Sequence, residues 1–262
     1  MLAKRVLSAV VLIPIVALAV YVGGWGLFGL IVIVGLLAGY EYLRLLRALQ
    51  ITPALLWGLL LILLLIADAQ WPQLRLAGWG LALVIMLSMT HEVFRGNAPG
   101  SLPRWALTLA GGLYIGFFLG HALKLRALDD GLQWTILAII GTWICDTGAY
   151  FVGSKWGRRR FFPAISPKKT WEGALGGLVS GMVAVILLGW GLLGLSVGWG
   201  TVIGLALVLG ATFGDLAESV IKRQVGVKDS GQLIPGHGGM LDRIDSLLFV
   251  FPIVYYLALI VG

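Results

Sequence analysis

The sequence predicts an all-α polytopic integral membrane protein with about nine transmembrane helices and a cytoplasmic N-terminus. Three observations predict it. Of 262 residues, 59% are hydrophobic and only 12% charged, against about 25% charged in soluble domains. Long uncharged apolar runs recur along the whole chain, as membrane-spanning helices require. The basic residues are also segregated. With the N-terminus inside, only Arg75, Lys124 and Arg126 of the 19 Lys and Arg fall in outer segments, which satisfies the positive-inside rule. That distribution explains the net charge of +7 without a nucleic-acid partner.

The spans read in order as 6–22, 25–41, 54–70, 76–91, 105–123, 132–152, 172–193, 199–217 and 246–261. The first, behind Lys4-Arg5, resembles a signal peptide, but eight further spans follow and an uncleaved helix is the better reading. Residues 1–131 have short, chemically sparse loops and read as scaffold. Residues 132–262 carry two long basic loops, about 153–171 and 216–245, on one side of the membrane. The two halves form one integrated membrane domain. No repeat of fixed period supports an inverted-repeat transporter. Gly173, Gly177 and Gly181 share one helical face, as do Gly112, Gly116 and Gly120, and Gly35 and Gly39. Such faces let helices pack closely in lipid, within one bundle or, as an alternative, in a homodimer. The lone Cys145 reads as packing. Gly24-Trp-Gly-Leu-Phe-Gly29 and Gly148–Lys155 resemble phosphate loops only superficially, since neither has the strand–turn–helix context or residue order required.

The chemistry concentrates in residues 215–245. Asp215, Ser219 and Lys222 fall on one helical face, so a carboxylate, a hydroxyl and an ammonium are expected in register. Asp242 and Asp245, three apart, share a face if helical, which suits carboxylates gripping a hard cation. Lys222, Arg223, Lys228 and Arg243 surround them with positive charge. Gly236, Gly238 and Gly239 flank His237, and glycine lets backbone N–H groups approach an anion. Asp146 lies inside the sixth span, where a carboxylate costs about 2.5–3.5 kcal/mol at a helix centre and so usually faces a cavity, an ion or a partner. Ser166-Pro-Lys168-Lys169-Thr170 precedes a helix start, another site that favours anions. Carboxylates for Mg²⁺ beside cations for phosphate are the chemistry of phosphoryl or nucleotidyl transfer.

The run Ser219-x-x-Lys222-Arg223, then Lys228-Asp229, Gly231, Pro235, His237-Gly238-Gly239 and Asp242-Arg243-x-Asp245, resembles the phosphatidate cytidylyltransferase (CDP-diacylglycerol synthase) family. The Ser166–Glu172 segment and Asp146-Thr-Gly-Ala-Tyr150 are similar to it as well. The resemblance implies transfer of CMP from CTP to phosphatidate, giving CDP-diacylglycerol and pyrophosphate, for phospholipid biosynthesis with Mg²⁺ and room for a second cation. It implies catalytic roles for Asp215, Ser219, Lys222, Asp242, Asp245 and His237. Phosphate or CTP contacts fall to Arg223, Lys228, Arg243, Gly238, Gly239, Ser166, Lys168, Lys169 and Thr170. The metal would fall to Asp215, Asp242 and Asp245, with Asp146 a fourth candidate. The setting is a bacterial inner membrane with a cytoplasmic active site, and the N-terminal helices would also admit lipid. A CTP-dependent lipid kinase and an ion-coupled transporter are the alternatives.

Overall fold

Every expected span falls on a helix or within a residue of one. The computed structural model describes residues 2–96, 99–233 and 238–261, with side chains from Val10 onward. Seven helical segments are long and apolar enough to cross a membrane: Gly24–Leu49, Leu76–Phe94, Ser101–Arg126, Gly131–Trp156, Trp171–Leu193, Val197–Gln224 and Leu241–Val261. Val10–Val22 and Leu55–Gln70 are shorter apolar helices. Among the described residues seven of the expected nine spans coincide with these long helices, and the first and third coincide with Leu2–Val22 and Leu55–Gln70. The chain forms two compact units, Met1–Lys124 with Gln224–Arg243, and Leu125–Arg223 with Ile244–Gly262.

In the first unit, α1 (Leu2–Val22) turns into α2 (Gly24–Leu45) through Gly23 alone, whose φ of 66° few other residues adopt. Helix α3 (Leu55–Gln70) is the hub. Its 16 residues span only about 24 Å, less than the ~30 Å hydrocarbon thickness, and Leu61, Ile62 and Ile66 are fully buried. Helix α4 (Leu76–Phe94) follows, then α5 (Ser101–Gly112), a wide turn at Leu113–Phe117 and α6 (Phe118–Arg126). Gly116 lies so close to α3 that a Cβ would stand 2.8 Å from Ile62 Cα, and Gly112 faces Leu61 and Gly120 faces Ala69. Gly35 and Gly39 of α2 meet Ile62 as well. Several polar groups inside this unit find partners. Arg104 pairs with Glu92, both buried, Asp68 Oδ1 accepts from Ala77 N at 2.8 Å, and Tyr42 donates to Leu107 O at 3.2 Å.

In the second unit, α7 (Gly131–Trp156) and α8 (Trp171–Leu193) pack backbone to backbone. A Cβ at Gly177 would stand 3.1 Å from Cys145 O, and one at Gly173 would stand 2.9 Å from Ala149 O. All three glycine faces are thus filled by helices of the same chain, as the intrachain reading expected. Between α7 and α8 the expected loop is an antiparallel ribbon, β1 (Arg160–Phe162) and β2 (Ser166–Thr170), pairing Arg160 with Thr170 and Phe162 with Ser166. Thr170 Oγ1 accepts from Gly173 N at 3.1 Å and caps α8, so the helix starts where the sequence places it. Helix α9 (Val197–Gln224) runs 28 residues, about 42 Å, and outlasts the hydrocarbon by roughly two turns. The loop expected from residue 216 is therefore helical through Gln224. Helix α10 (Leu241–Val261) completes the chain.

Candidate active site

The C-terminal third of α9 carries the first cluster, all within the second unit. At Gly214 there is no room for a side chain, since a Cβ would stand 2.7 Å from Asp245 O and 3.1 Å from Ser246 Cα. That contact of α9 with α10 brings the next residue, Asp215, toward Asp245. Both carboxylates are half-buried. Asp245 lies within electrostatic range of Asp215, of Asp146 on α7 and of the Lys222 ammonium. Ser219 Oγ donates to Asp215 Oδ1 at 3.3 Å, as their shared face predicts. Lys222 forms a buried ion pair with Glu218, four residues earlier. Lys169 of β2 brings its ammonium to 2.8 Å from Asp215 Oδ2.

The ribbon is tied in place from both ends. Arg223 Nε donates to Ile165 O at 3.0 Å, and Glu172 accepts from Arg158 N at 3.0 Å and Arg159 N at 3.2 Å. Arg223 is thereby anchored to the ribbon, with its side chain still exposed. Ser166 is half-buried at the start of β2 and Lys168 is exposed. Thr170 is buried with its hydroxyl in the α8 cap, a local task the sequence reading had not separated from anion binding.

The second cluster belongs to the first unit. Asp242, in the first turn of α10, accepts at Oδ2 from Ser230 N at 2.9 Å and Gly239 N at 2.8 Å, and Ser230 Oγ stands 3.0 Å from the same oxygen. Gly238 has φ 82°, a left-handed conformation natural to glycine, and a Cβ there would also stand 2.7 Å from Asp242 Oδ2. Lys228 and Arg243 are exposed. His237, with Pro235 and Gly236, lies outside the described residues.

Two carboxylates escaped the sequence reading. Glu218 had a signal in its spacing of four from Lys222, the separation that lets helical side chains pair. Glu41 had none. It sits on α2, buried, and accepts at Oε2 from Leu241 N at 2.9 Å and Ser230 Oγ at 3.1 Å. The first half of the chain therefore does supply a polar group to the charged segment.

Among the described residues no three His, Cys, Asp or Glu side chains form a ready metal cage. Mg²⁺ seldom needs one, because it keeps several waters and takes one or two carboxylates plus substrate phosphates. Hard oxygens on Asp215 and Asp245, with Asp146 near and ammonium groups beside them, fit that chemistry.

The cytidylyltransferase family model matches residues 3–261 of this chain. The phosphatidate cytidylyltransferase of Bacillus subtilis is 36% identical over 260 residues, covering 97% of this chain and 96% of that protein. Those of Thermotoga maritima and Haemophilus influenzae are each 34% identical, the first over 97% of this chain and 95% of that protein, the second over 98% of both.

Proposed function

The chain belongs to the cytidylyltransferase family, and from that premise we propose how its charged clusters carry the reaction its relatives are named for. The enzyme transfers CMP from CTP to phosphatidate, giving CDP-diacylglycerol and pyrophosphate, within phospholipid biosynthesis. The observation that supports this best is the pairing of carboxylates with ammonium groups at the end of α9: Asp215 beside Lys169, and Asp245 in range of Asp215 and Lys222.

The attacking group is already an anionic phosphate, so the chemistry needs little base catalysis. The barrier is electrostatic: one pair of unit like charges at 4 Å costs about 4 kcal/mol at an effective dielectric of 20. Bound Mg²⁺ would offset that repulsion on attacking and leaving oxygens. Asp215 and Asp245 would hold it, with Asp146 and Asp242 as further candidates and room for a second cation. Lys169 and Lys222 stabilise charge that develops on phosphate oxygens, and Ser219 orients Asp215 through its hydroxyl. Lys168, Arg223, Ser166 and Thr170 belong to the same basic ribbon region. Lys228, Arg243 and the backbone amides near Gly238 and Gly239 are assigned to CTP phosphates by the motif they share with the family. His237 orients a phosphate oxygen, since pyrophosphate leaves readily without a proton donor. A homodimer would have to use surfaces other than the three glycine faces.

Membranes containing the protein should move label from the CTP base into the lipid extract in a divalent-cation-dependent manner. Label from the γ-phosphate entering lipid, with none from cytosine, would instead identify a lipid kinase.

We place the ribbon and residues 216–245 in the cytoplasm of a bacterial cell, at its inner membrane, on the strength of the basic-residue asymmetry. With Cys145 replaced, single cysteines at Gln232 and Gln73 should react with an impermeant reagent from opposite faces. Reaction of the Gln232→Cys protein on intact cells would reverse the orientation.

A further inference from the structure

We propose that Glu41 is a positioning residue whose buried carboxylate clasps the two described ends of the segment 231–239, Gly231 and Gly239, and so sets their placement for nucleotide binding. The proposal rests on the cytidylyl-transfer reading, because it gives that motif's neighbour a task within the same reaction.

The geometry is specific on both sides of the carboxylate. At the entry to the segment, a Cβ on Gly231 would stand 2.5 Å from Glu41 Oε1 and 2.9 Å from its Cδ. At the exit, a Cβ on Gly239 would fall onto Ser230 Oγ and Glu41 Oε2 and stand 2.8 Å from Glu41 Cδ. Each distance is far inside van der Waals contact, so both positions admit only glycine while Glu41 stays where it is. The exit glycine belongs to the His237-Gly238-Gly239 run; its small size is explained here by what lies beneath it.

Hydrogen bonds lock the same arrangement. Oε2 accepts from Leu241 N at 2.9 Å, the first residue of α10, and from Ser230 Oγ at 3.1 Å, the residue before Gly231. Ser230 Oγ also stands 3.0 Å from Asp242 Oδ2, which gathers Ser230 N and Gly239 N. Glu41, Ser230 and Asp242 thus form one chain of polar contacts joining α2 to the start of α10. Glu41 is only 6% exposed, and Oε1 is buried without a hydrogen-bond partner among the described residues. Burying such an oxygen is unfavourable, so a packing role alone would be better served by an apolar side chain. What an apolar side chain lacks is an acceptor for Leu241 N and Ser230 Oγ.

Kinetics of the full-length protein in lipid nanodiscs, read as cytosine label entering lipid, test this. Glu41→Ala should raise KM for CTP by about 30-fold, the scale of a lost hydrogen bond to a charged acceptor. KM for phosphatidate should stay within about threefold, since a bond lost at the nucleotide motif bears on one substrate. Glu41→Gln, which retains an acceptor of the same shape, should recover most of the loss. Gly231→Ala should produce the same CTP-selective defect alone, yet add little in the Glu41→Ala background, where the carboxylate it strikes is gone. An unchanged KM for CTP in Glu41→Ala, or an equal rise for both substrates, would overturn the clasp. Should Glu41→Ala fail to fold, Gly231→Ala with parent-like KM values would overturn it equally. A parent protein that puts no cytosine label into lipid would instead count against the cytidylyl-transfer reading.

Discussion

Asp245→Asn is expected to abolish turnover while leaving a folded protein in the membrane. The amide keeps the shape of the carboxylate but binds Mg²⁺ far less well. Losing several kcal/mol of charge stabilisation in the transition state lowers the rate by roughly three orders of magnitude or more. Stability should move the other way. Asp245 is crowded by the like charges of Asp215 and Asp146, so neutralising it relieves repulsion in the metal-free protein. The measurement is therefore paired: cytosine-label transfer, and thermal unfolding without divalent cation. Activity lost together with a clearly lowered unfolding temperature would mean that Asp245 serves the fold and not the reaction.

Arg104→Met should be strongly destabilising, as should the loss of its partner Glu92. Arg104 and Glu92 are both nearly inaccessible and form an ion pair between α5 and α4. Removing one partner leaves a buried, uncompensated charge, at a typical cost of about 3–5 kcal/mol. Arg104→Met combined with Glu92→Leu should restore much of that loss, because replacing a whole buried pair by apolar groups is often neutral. Unfolding temperatures of the parent, both single variants and the double variant in the same detergent decide it. Additive losses would show that the pair is not coupled.

The helices were legible because their signal is local: apolar runs long enough to span lipid, ended by charges and prolines. The ribbon at 160–170 was not. Its strands, Arg160–Phe162 and Ser166–Thr170, are three and five residues long and irregular in register, and neither alternates polar with apolar residues. Part of the candidate site was legible for the same reason of locality. Asp215 and Ser219 meet because one helical turn separates them, and Asp242 and Asp245 share a helix because Leu241 starts one. Lys169 reaches Asp215 only through the ribbon, which no spacing announces. Glu41 is the extreme case, 200 residues from Leu241 along the chain. Nothing near it marks it as more than a carboxylate at a helix end.

The length of α9 sets a depth. Asp215 lies 18 residues past Val197 on a helix that begins at Val197, about 27 Å along its axis. A bilayer's hydrocarbon is about 30 Å thick, so for a helix entering the hydrocarbon at its first residue, a carboxylate at that height would be level with the boundary where lipid phosphates reside. A lipid can then present its phosphate without being lifted out of its leaflet, and the water-soluble substrate makes the rest of the journey. With Asp215 in its proposed role, the acyl chains would stay in solution with their neighbours, and the protein would not bear the cost of extracting them.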